Sequence, residues 1–357
     1  MKYAHLYSPL EMGDLRLRNR IVMAPMTRSR ARQDDDAVSE LQANYYGQRG
    51  DAGLIVTEGV HPSADGKGYN RTPGIYNDVH TAAWLSVTRR VHERGGLIAC
   101  QLMHCGRVGH ALNKGPNTRF LAPSAVAASA EIFTELGMQP MPTPEALTVA
   151  EVKSVVADYQ SAAARALQAG FDAVELHCAS GYLPAQFLAT GSNLRDDQYG
   201  GNLENRLRFI EDVLHAIKVE TGAGRIGLRI SPGNPYNDHV DNDPKETYAA
   251  LLQLANRMGL AWVHAIRMAS TGIDSLALSR ANFSGALIGS DSFDAGEADQ
   301  FIADGLVEAV SFGRAYIANP DLVTRFALDA PLNALDKRTI YAGEGAGGYT
   351  DYPNLSS

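Results

Sequence analysis

A histidine, a serine and a tyrosine follow one another at short intervals in the middle of the chain. They are His177, Ser180 and Tyr182, and they come directly after a largely apolar run typical of a buried strand. In barrel enzymes the catalytic groups lie at the ends of strands. A histidine with a hydroxyl three positions later can hold one oxygen atom, and a tyrosine two positions further can hold a proton nearby. The spacing therefore predicts an enzyme that polarises a carbonyl group and delivers a proton beside it.

An arginine stands inside another apolar run, as Arg229 in the sequence IGLRI at 226–230. A charge in such a position needs a partner, because burying it unpaired is costly. A flavin is one suitable partner, since the N1/C2 edge of the ring becomes electron-rich on reduction. A carboxylate inside the barrel, such as Glu175, is the other. The run itself leaves both interpretations open.

Three more residues near predicted strand ends suit a flat, polar ring. Thr27 has a hydroxyl donor, Gln101 has an amide with both a donor and an acceptor, and Gly59 would let a ring approach the backbone. Each also has an ordinary explanation as a turn threonine, a strand-end glutamine or a loop glycine. Their shared location at one barrel mouth favours a binding site.

Small residues and an arginine follow the last two predicted strands. Gly289-Ser290 and Gly313-Arg314 are predicted to form short turns there. Barrels often bind phosphate at the loops after strands 7 and 8. Glycine allows backbone N–H groups to approach phosphate oxygens, and arginine adds a charged donor. Two ordinary tight turns with a surface arginine are the alternative.

Positioning these residues requires a regular alternation of strands and helices. Eight short β-rich runs, several apolar on both faces, alternate with longer helical patterns, and this predicts an α/β fold of the (β/α)8 TIM-barrel type. The predicted strands are Ile21–Ala24, Leu54–Thr57, Leu97–Leu102, Ala173–Leu176, Ile226–Ile230, Trp262–Ile266, Ala286–Ile288 and Ala309–Phe312.

Helix boundaries carry recognisable signals. Thr148 and Glu151 have the spacing of a capping box, and Gly170 is predicted to close that helix. Pro244 and Pro320 are each predicted to be the first residue of a helix, a position where the missing N–H of proline costs nothing.

Two segments do not belong to the regular alternation. Residues 1–20 are predicted to form a hairpin that plugs the bottom of the barrel. Residues from about 104 to 147 are too many for a simple loop and contain five prolines, so we expect an excursion after strand 3 that covers the barrel mouth. No repeat or linker divides the chain, which predicts a single domain over 1–357.

Composition excludes several classes of protein. The 357 residues carry a formal net charge of −8 and no Lys/Arg-rich patch, so nucleic acid and anionic membranes are not expected partners. No apolar stretch is long enough to span a membrane, and the N-terminus lacks the apolar core of a signal peptide. Three cysteines give no disulfide framework, and we expect a cytoplasmic monomer or homodimer.

The chain resembles the old yellow enzyme family of flavoprotein ene-reductases. The matching segments are spread over nearly the whole chain, and such an ordered series is not expected by chance. They are LYSPL (6–10), NRIVMAPMTR (19–28), QLMHCGR (101–107), QYGGNLENR (198–206), FGR (312–314), IANPDL (317–322) and GYTDYP (348–353).

The resemblance implies FMN bound in the barrel and reduced by NADH or NADPH, with a small, electron-poor alkene as the substrate. His177 would polarise the substrate oxygen, with Ser180 at the position of its partner, hydride would come from flavin N5, and Tyr182 would supply the proton. Thr27, whose hydroxyl could donate to a flavin ring carbonyl, is also counted among the catalytic residues. Met103 and Tyr349 would line the substrate pocket. The residues implied to hold FMN are Pro25, Met26, Thr27, Gly59, Gln101, His177, Arg229, Gly289, Ser290, Gly313 and Arg314.

The chain departs from the family pattern near the expected site. Ser180 stands where Asn or a second His is usual, Met103 replaces a large aromatic residue, Cys178 differs beside His177, and residues 264–271 diverge. Losing one donor to a developing oxyanion costs about 3 kcal/mol, or roughly 100-fold in rate. Drift within a working reductase is one interpretation. An FMN enzyme that isomerises, oxidises or cyclises a specialised metabolite is the alternative.

Two rival interpretations place the same residues in other classes of protein. His104, Cys105, His177 and Cys178 could bind zinc in a metal-dependent hydrolase, but their spacing matches no recognised zinc motif and no carboxylate base accompanies them. We therefore expect no metal site. The second rival interpretation is a flavin-binding protein that catalyses no reaction. The presence of His177, Tyr182 and Arg229 does not favour it.

Overall fold

Eight parallel strands close into a barrel in the computed structural model, which describes residues 2–343 and 345–355. Each strand pairs with its neighbours in chain order, and the last pairs with the first. The strands are β1 (Ile21–Met23), β2 (Leu54–Val56), β3 (Ile98–Leu102), β4 (Ala173–Cys178), β5 (Ile226–Ile230), β6 (Trp262–Ile266), β7 (Ala286–Ser290) and β8 (Ala309–Phe312). All eight predicted strands are present, and the (β/α)8 barrel is confirmed.

Helices surround the barrel and bury apolar faces against it. In the part of the chain that the structure describes, no helix is both long and apolar enough to cross a membrane. The α-helices described are α1 (Glu40–Gln48), α2 (Asp78–His92), α3 (Val149–Gln168), α4 (Leu183–Leu188), α5 (Leu203–Thr221), α6 (Pro244–Met258), α7 (Ser275–Asn282), α8 (Ala295–Ala303), α9 (Arg314–Ala318) and α10 (Leu322–Leu328).

Most of the predicted helix signals are found where expected, but one prediction is wrong. Thr148 caps α3 in a capping box with Glu151, and Pro244 opens α6. Pro320 does not begin a helix, because α10 starts two residues later. The side-chain Oδ1 of Asn319 instead accepts from the Asn333 N–H at 2.7 Å, so it is unavailable as a cap for a following helix.

An N-terminal hairpin closes the bottom of the barrel, as predicted. Its strands, Leu10–Met12 and Leu15–Leu17, pair antiparallel and alternate buried with exposed residues. The buried side chains pack against the lower interior of the barrel, including Val22, Leu54 and Ala173. The hairpin therefore covers apolar surface that the barrel would otherwise expose to water.

The middle of the barrel interior is polar and centres on Glu175, a fully buried carboxylate. Its oxygens accept hydrogen bonds from Gln101 Nε2 (2.8 Å), Trp262 Nε1 (2.9 Å) and His264 Nδ1 (2.9 Å). Gly227 faces the indole of Trp262, and a Cβ there would lie 1.9 Å from the ring. The absence of a side chain at position 227 is what lets the indole reach the carboxylate.

The excursion predicted after strand 3 is present between β3 and α3, and part of it packs beside Tyr182. It contains two short parallel strands, Leu121–Ala122 and Glu145–Ala146, and an antiparallel hairpin formed by Glu131–Thr134 and Gly137–Pro140. Side chains of the excursion form an apolar cluster with Tyr182. The excursion therefore forms one wall around the predicted proton donor.

Replacing Gly227 with alanine tests the packing of the central layer. The new methyl group would overlap the Trp262 indole and push it away from Glu175. Overpacking a core of this kind costs about 1–3 kcal/mol. Thermal denaturation of the FMN-loaded protein should therefore show a lower Tm for Gly227→Ala.

Gly296→Ala in α8 is the matched control. A Cβ at position 296 finds no atom closer than 3.4 Å, and alanine is the better helix former. We expect its Tm to equal or exceed that of the parent protein. Equal Tm values for Gly227→Ala and the parent would contradict the argument.

Candidate active site

The predicted site residues lie at one end of the barrel, because eight parallel strands bring their carboxyl ends together. Pro25, Met26 and Thr27 follow β1, Gly59 follows β2, and Met103 follows β3. Other site residues belong to strands or follow β8. They are Gln101 in β3, His177 in β4, Arg229 in β5, Gly289 and Ser290 in β7, and Gly313 and Arg314 directly after β8.

His177 is a neutral imidazole with a defined tautomer. The backbone N–H of Ala179 donates to its Nδ1 at 3.2 Å, so the proton of the ring is on Nε2. Burial and the nearby positive charge of Arg229 lower the pKa of His177 to about 3. At neutral pH the Nε2–H group is therefore the donor that His177 can offer to a bound molecule.

A tight turn after β4 returns the chain over His177. Ser180 and Gly181 both adopt the left-handed conformation, with φ of 56° and 73°. The Ser180 N–H donates to Ser231 Oγ (2.9 Å), and its carbonyl oxygen accepts from Asn237 Nδ2 (2.8 Å). These bonds hold the serine through its backbone. A left-handed φ is uncommon for a residue with a side chain, and Asn tolerates it better than Ser.

Tyr182 meets His177 at right angles, with ring centroids 4.8 Å apart. Its hydroxyl lies 3.0 Å from the hydroxyl of Tyr69. Burial raises the pKa of Tyr182 well above its usual range, and the bond from Tyr69 opposes that rise. A phenol in this position is a protonated donor at neutral pH. Sequence reasoning missed Tyr69, which reaches the site from a loop 113 positions earlier.

Arg229 reaches Glu175 only through His264. The guanidinium Nη1 lies 2.7 Å from His264 Nε2, and Nη2 donates to Ser290 Oγ at 3.3 Å. The His264 Nδ1–H in turn donates to Glu175. The direct ion pair with Glu175, one of the two partners considered for Arg229, is therefore not what the structure shows.

The protonation states of Glu175, His264 and Arg229 follow from their burial and from their charges. Burial alone would raise the pKa of the Glu175 carboxyl, but the His264 ring and the charge of Arg229 lower it to about 2. Burial and Arg229 lower the pKa of His264 to about 4. Burial lowers the pKa of Arg229 to about 10, with Glu175 opposing the change. At pH 7 the group is a carboxylate, a neutral imidazole and a guanidinium.

Met103 lies across Gly59. A Cβ at position 59 would be 2.4 Å from Met103 Cε, so the thioether occupies space that a side chain there would need. Met103 also belongs to the apolar cluster that contains Tyr182. Met103 is therefore a neighbour of Gly59, which is predicted to contact the flavin, and of Tyr182, the predicted proton donor. Its role in the substrate pocket stays a prediction.

Tyr349 anchors the C-terminal segment beside the mouth. Its ring stacks on Tyr45 with centroids 4.0 Å apart, and the guanidinium of Arg28 lies 5.0 Å from its centroid. Arg28 also donates to the Gly348 carbonyl oxygen at 2.8 Å. A substrate-pocket role for Tyr349 stays a prediction.

The sequence prediction does not include Glu58, which is buried directly before Gly59. The signal that could have found it is a carboxylate at the end of an apolar strand.

The turn predicted at Gly289-Ser290 is wrong. Both residues are part of β7, where Gly289 pairs with Val310 and Ser290 pairs with Ser311. The turn follows at Asp291 and Ser292, both with positive φ. Ladder pairing on both sides extends the strand past the glycine, so the turn begins two residues later than its small residues suggest.

The four candidate zinc ligands do not assemble into one site. His177 faces the barrel mouth, whereas Cys178 is the next residue along the strand and packs in the outer apolar core. His104 Nδ1 accepts from the Gly106 N–H. Within 2–343 and 345–355, no three His, Cys, Asp or Glu side chains are grouped closely enough to hold a metal.

Comparison with known proteins identifies the family. The model of the NADH:flavin oxidoreductase / NADH oxidase family matches residues 5–333. The chain belongs to that family. The resemblance to old yellow enzymes seen in the sequence is thereby confirmed.

Individual members of the family are similar over almost their whole length. A probable flavin mononucleotide-dependent alkene reductase of Leishmania infantum is 40% identical, with 98% of this chain and 97% of that protein covered. Rice 12-oxophytodienoate reductase 1 is 37% identical over 98% and 93%. Morphinone reductase solved in complex with tetrahydroNAD is 43% identical, covers 98% of each chain and superposes with a TM-score of 0.93.

The chain is therefore an FMN-dependent NAD(P)H oxidoreductase of the ene-reductase type, and its mouth fits FMN. The donor set matches a flavin, because Thr27, Gln101 and Arg229 supply a hydroxyl, an amide and a cation at the ends of three strands. Position 59 has no side chain, and a Cβ there would have to displace the flexible thioether of Met103, whose Cε would be 2.4 Å away. Arg314 supplies a cation directly after β8, where the sequence predicts the phosphate to bind.

Buried histidines predict loss of stability in mild acid. Five have a pKa lowered by burial to about 3 or 4, namely His61, His104, His177, His239 and His264. Below pH 6.5 the unfolded chain protonates them and the folded chain does not, so stability falls as pH drops toward 4. Four carboxyls whose pKa burial raises, Glu58, Asp51, Asp36 and Asp158, act in the opposite sense. They are fewer than the histidines, because burial also lowers the pKa of His80.

Urea unfolding of the FMN-loaded protein at pH 6.5 and pH 5.0 measures the effect. Each unopposed histidine contributes about 1.4 kcal/mol per pH unit, so the free energy of unfolding should fall by at least about 2 kcal/mol per unit. A value at pH 5.0 equal to that at pH 6.5 would show that the histidines are not held neutral.

Proposed function

We propose that this ene-reductase reduces α,β-unsaturated carbonyl compounds, with His177 as donor to the carbonyl oxygen and Tyr182 as proton donor to the α-carbon. The observation that carries this proposal is the meeting of a neutral imidazole and a buried phenol, 4.8 Å apart between centroids, at a mouth that also contains Arg229. Neither group is ionised at neutral pH, and both can donate.

His177 acts on the substrate oxygen. Its Nε2–H donates to the carbonyl, and the bond strengthens as negative charge grows on that oxygen in the transition state. The Ala179 N–H fixes the tautomer, so no proton needs to be rearranged first. The low pKa of His177 keeps the imidazole neutral, so it acts on the oxygen as a hydrogen-bond donor and not as a cationic acid.

Tyr182 acts on the α-carbon. With its own hydroxyl directed to the substrate, it accepts a hydrogen bond from Tyr69, and that bond stabilises the phenolate left when the proton departs. The excursion side chains around Tyr182 exclude water from the transferred proton. Tyr69 is thus a positioning residue for the proton donor.

When bound, FMN supplies the hydride for the β-carbon of the substrate, and NADH or NADPH is the source of that hydride. Thr27, Gln101 and Arg229 would hold the ring, with Pro25, Met26 and Gly59 against it, and Ser290, Gly313 and Arg314 would hold the phosphate. Arg229 would also be the cation that stabilises electron-rich flavin, because the hydrogen bond to His264 holds it in place and the charge of Glu175 favours its charged form.

The alternative of an isomerase, oxidase or cyclase is less well supported. It depends on Ser180 weakening the grip on oxygen, whereas His177, Tyr182 and the cation of Arg229 are all in place for reduction. The relatives reported above carry the names of reductases.

Anaerobic visible spectroscopy tests the function directly. The protein is reduced with NADPH and then mixed with 2-cyclohexenone. Loss of the flavin band followed by rapid recovery is expected. Reduction without recovery would refute the proposed substrate class while leaving the FMN barrel intact.

We also propose that the chain is one FMN-binding domain in the cytoplasm, as a monomer or homodimer. All three cysteines are buried and unpaired, which suits a reducing compartment.

Tyr182→Phe should slow reoxidation of the reduced flavin by enone about 100-fold, because the general acid is lost. Reduction of the flavin by NADPH should change little, since no proton is delivered to carbon in that step. Stopped-flow absorbance measures the two rates separately. An equal loss in both would remove Tyr182 from the proton-donor role.

Tyr69→Phe is the companion variant. It keeps the Tyr182 phenol but removes its hydroxyl partner, so enone-dependent reoxidation should slow by about tenfold, the effect of losing one modest hydrogen bond. A loss as large as that of Tyr182→Phe would assign proton donation to Tyr69 instead.

Ser180→Asn should tighten phenol binding and speed reduction of a simple enone. Asn has a longer donor than Ser and accepts the left-handed backbone at position 180. The gain should be between about 10-fold and 100-fold if one oxyanion donor is restored. Phenol titration of the flavin band and stopped-flow rates with 2-cyclohexenone measure it.

Ser180→Ala identifies what the native hydroxyl contributes. If Ser180 contributes only through its backbone, the alanine variant should bind phenol as the parent does. No gain with Asn in either quantity would show that Ser180 does not limit the grip on oxygen.

A further inference from the structure

The turn after β7 has an unusual backbone for its residue types. Asp291 and Ser292 are consecutive and have φ of 79° and 59°. The left-handed region disfavours residues with a Cβ, so two in a row persist only when the surroundings hold them. This turn lies at the phosphate end of the site, between Ser290 and α8.

Arg267, at the end of β6, holds the turn. Its Nε donates to the Asp291 carbonyl oxygen (2.7 Å) and its Nη2 donates to that of Ser292 (2.9 Å). The guanidinium also forms a bidentate pair with Glu297 (2.6 and 2.7 Å) and lies 3.5 Å from the ring centroid of Phe293. The position of Asp291 is therefore fixed from the backbone side.

The carboxylate of Asp291 faces Arg314, with an N–O distance of 3.7 Å. Arg314 is the one cation among the residues assigned above to the FMN phosphate. Both side chains are substantially exposed, at 48% for Asp291 and 71% for Arg314, so the pair itself is weak. A phosphate group can displace the carboxylate from Arg314.

We propose that Asp291 sets the cofactor affinity of this enzyme by opposing the FMN phosphate, an inference that rests on the FMN site described above. The phosphate competes with Asp291 for Arg314, and after displacement the carboxylate stays nearby because Arg267 anchors its backbone. A negative group beside a phosphate raises its energy. The chain consequently gains less binding free energy from the phosphate than it would with an uncharged residue at position 291. Its affinities for FMN and riboflavin therefore differ less.

Flavin affinities of the full-length chain test the proposal without recourse to activity. Protein stripped of flavin is titrated with FMN and, separately, with riboflavin, and quenching of flavin fluorescence gives each Kd. Asp291→Asn removes the charge and keeps a side chain suited to positive φ. FMN should bind about fivefold more tightly to this variant, the scale of an exposed charge interaction. Riboflavin should bind within twofold of its parent value.

Asp304→Asn is the matched control, because it removes the same charge from an exposed position at the far end of α8. Its FMN affinity should equal that of the parent. Raising the ionic strength should reduce the advantage of Asp291→Asn, since salt screens exposed charges.

The outcomes separate cleanly. Unchanged FMN affinity in Asp291→Asn, or equal tightening for FMN and riboflavin, would overturn the proposal, the latter by showing an effect on turn structure rather than on phosphate. A parent protein that binds neither flavin would instead refute the FMN site itself.

Discussion

One buried carboxylate organises the interior on which the site stands. Glu175 has no access to water, and its ionised form is maintained by three donors from two other strands and by the positive charge beyond His264. Removing any one donor would leave a buried charge incompletely satisfied, which is far more costly than losing an exposed hydrogen bond. The orientations of Gln101 and His264, and through His264 that of Arg229, therefore depend on a single group.

The two side chains proposed to act on the substrate are positioned by different means. His177 belongs to β4, and the backbone N–H of Ala179 fixes the orientation of its ring. Tyr182 lies beyond a left-handed turn and depends on Tyr69 and the excursion for its surroundings. Strand geometry therefore places His177, whereas loops that meet only in the folded protein place Tyr182.

The sequence predicts the barrel well, because alternating buried strands and helices leave few arrangements. It also predicts that the candidate site residues gather at one end, because a parallel barrel puts all strand ends together. It predicts contacts between distant loops poorly. No local pattern links Tyr69 to Tyr182, and the partner of Arg229 was open until the register placed His264 beside it. The turn after β7 was misplaced, because ladder pairing extends through Gly289 and Ser290 and no short-range signal shows that.

Because the excursion packs against Tyr182, two parts of the enzyme can change in sequence independently of each other. The proposed flavin-holding residues come from the barrel strands and the ends that follow them, whereas the proton donor is enclosed by an insertion between β3 and α3. Sequence change in the insertion can therefore reshape which alkenes are accepted while electron uptake from the nicotinamide is preserved. A lineage with this architecture can acquire new substrates without rebuilding its redox centre.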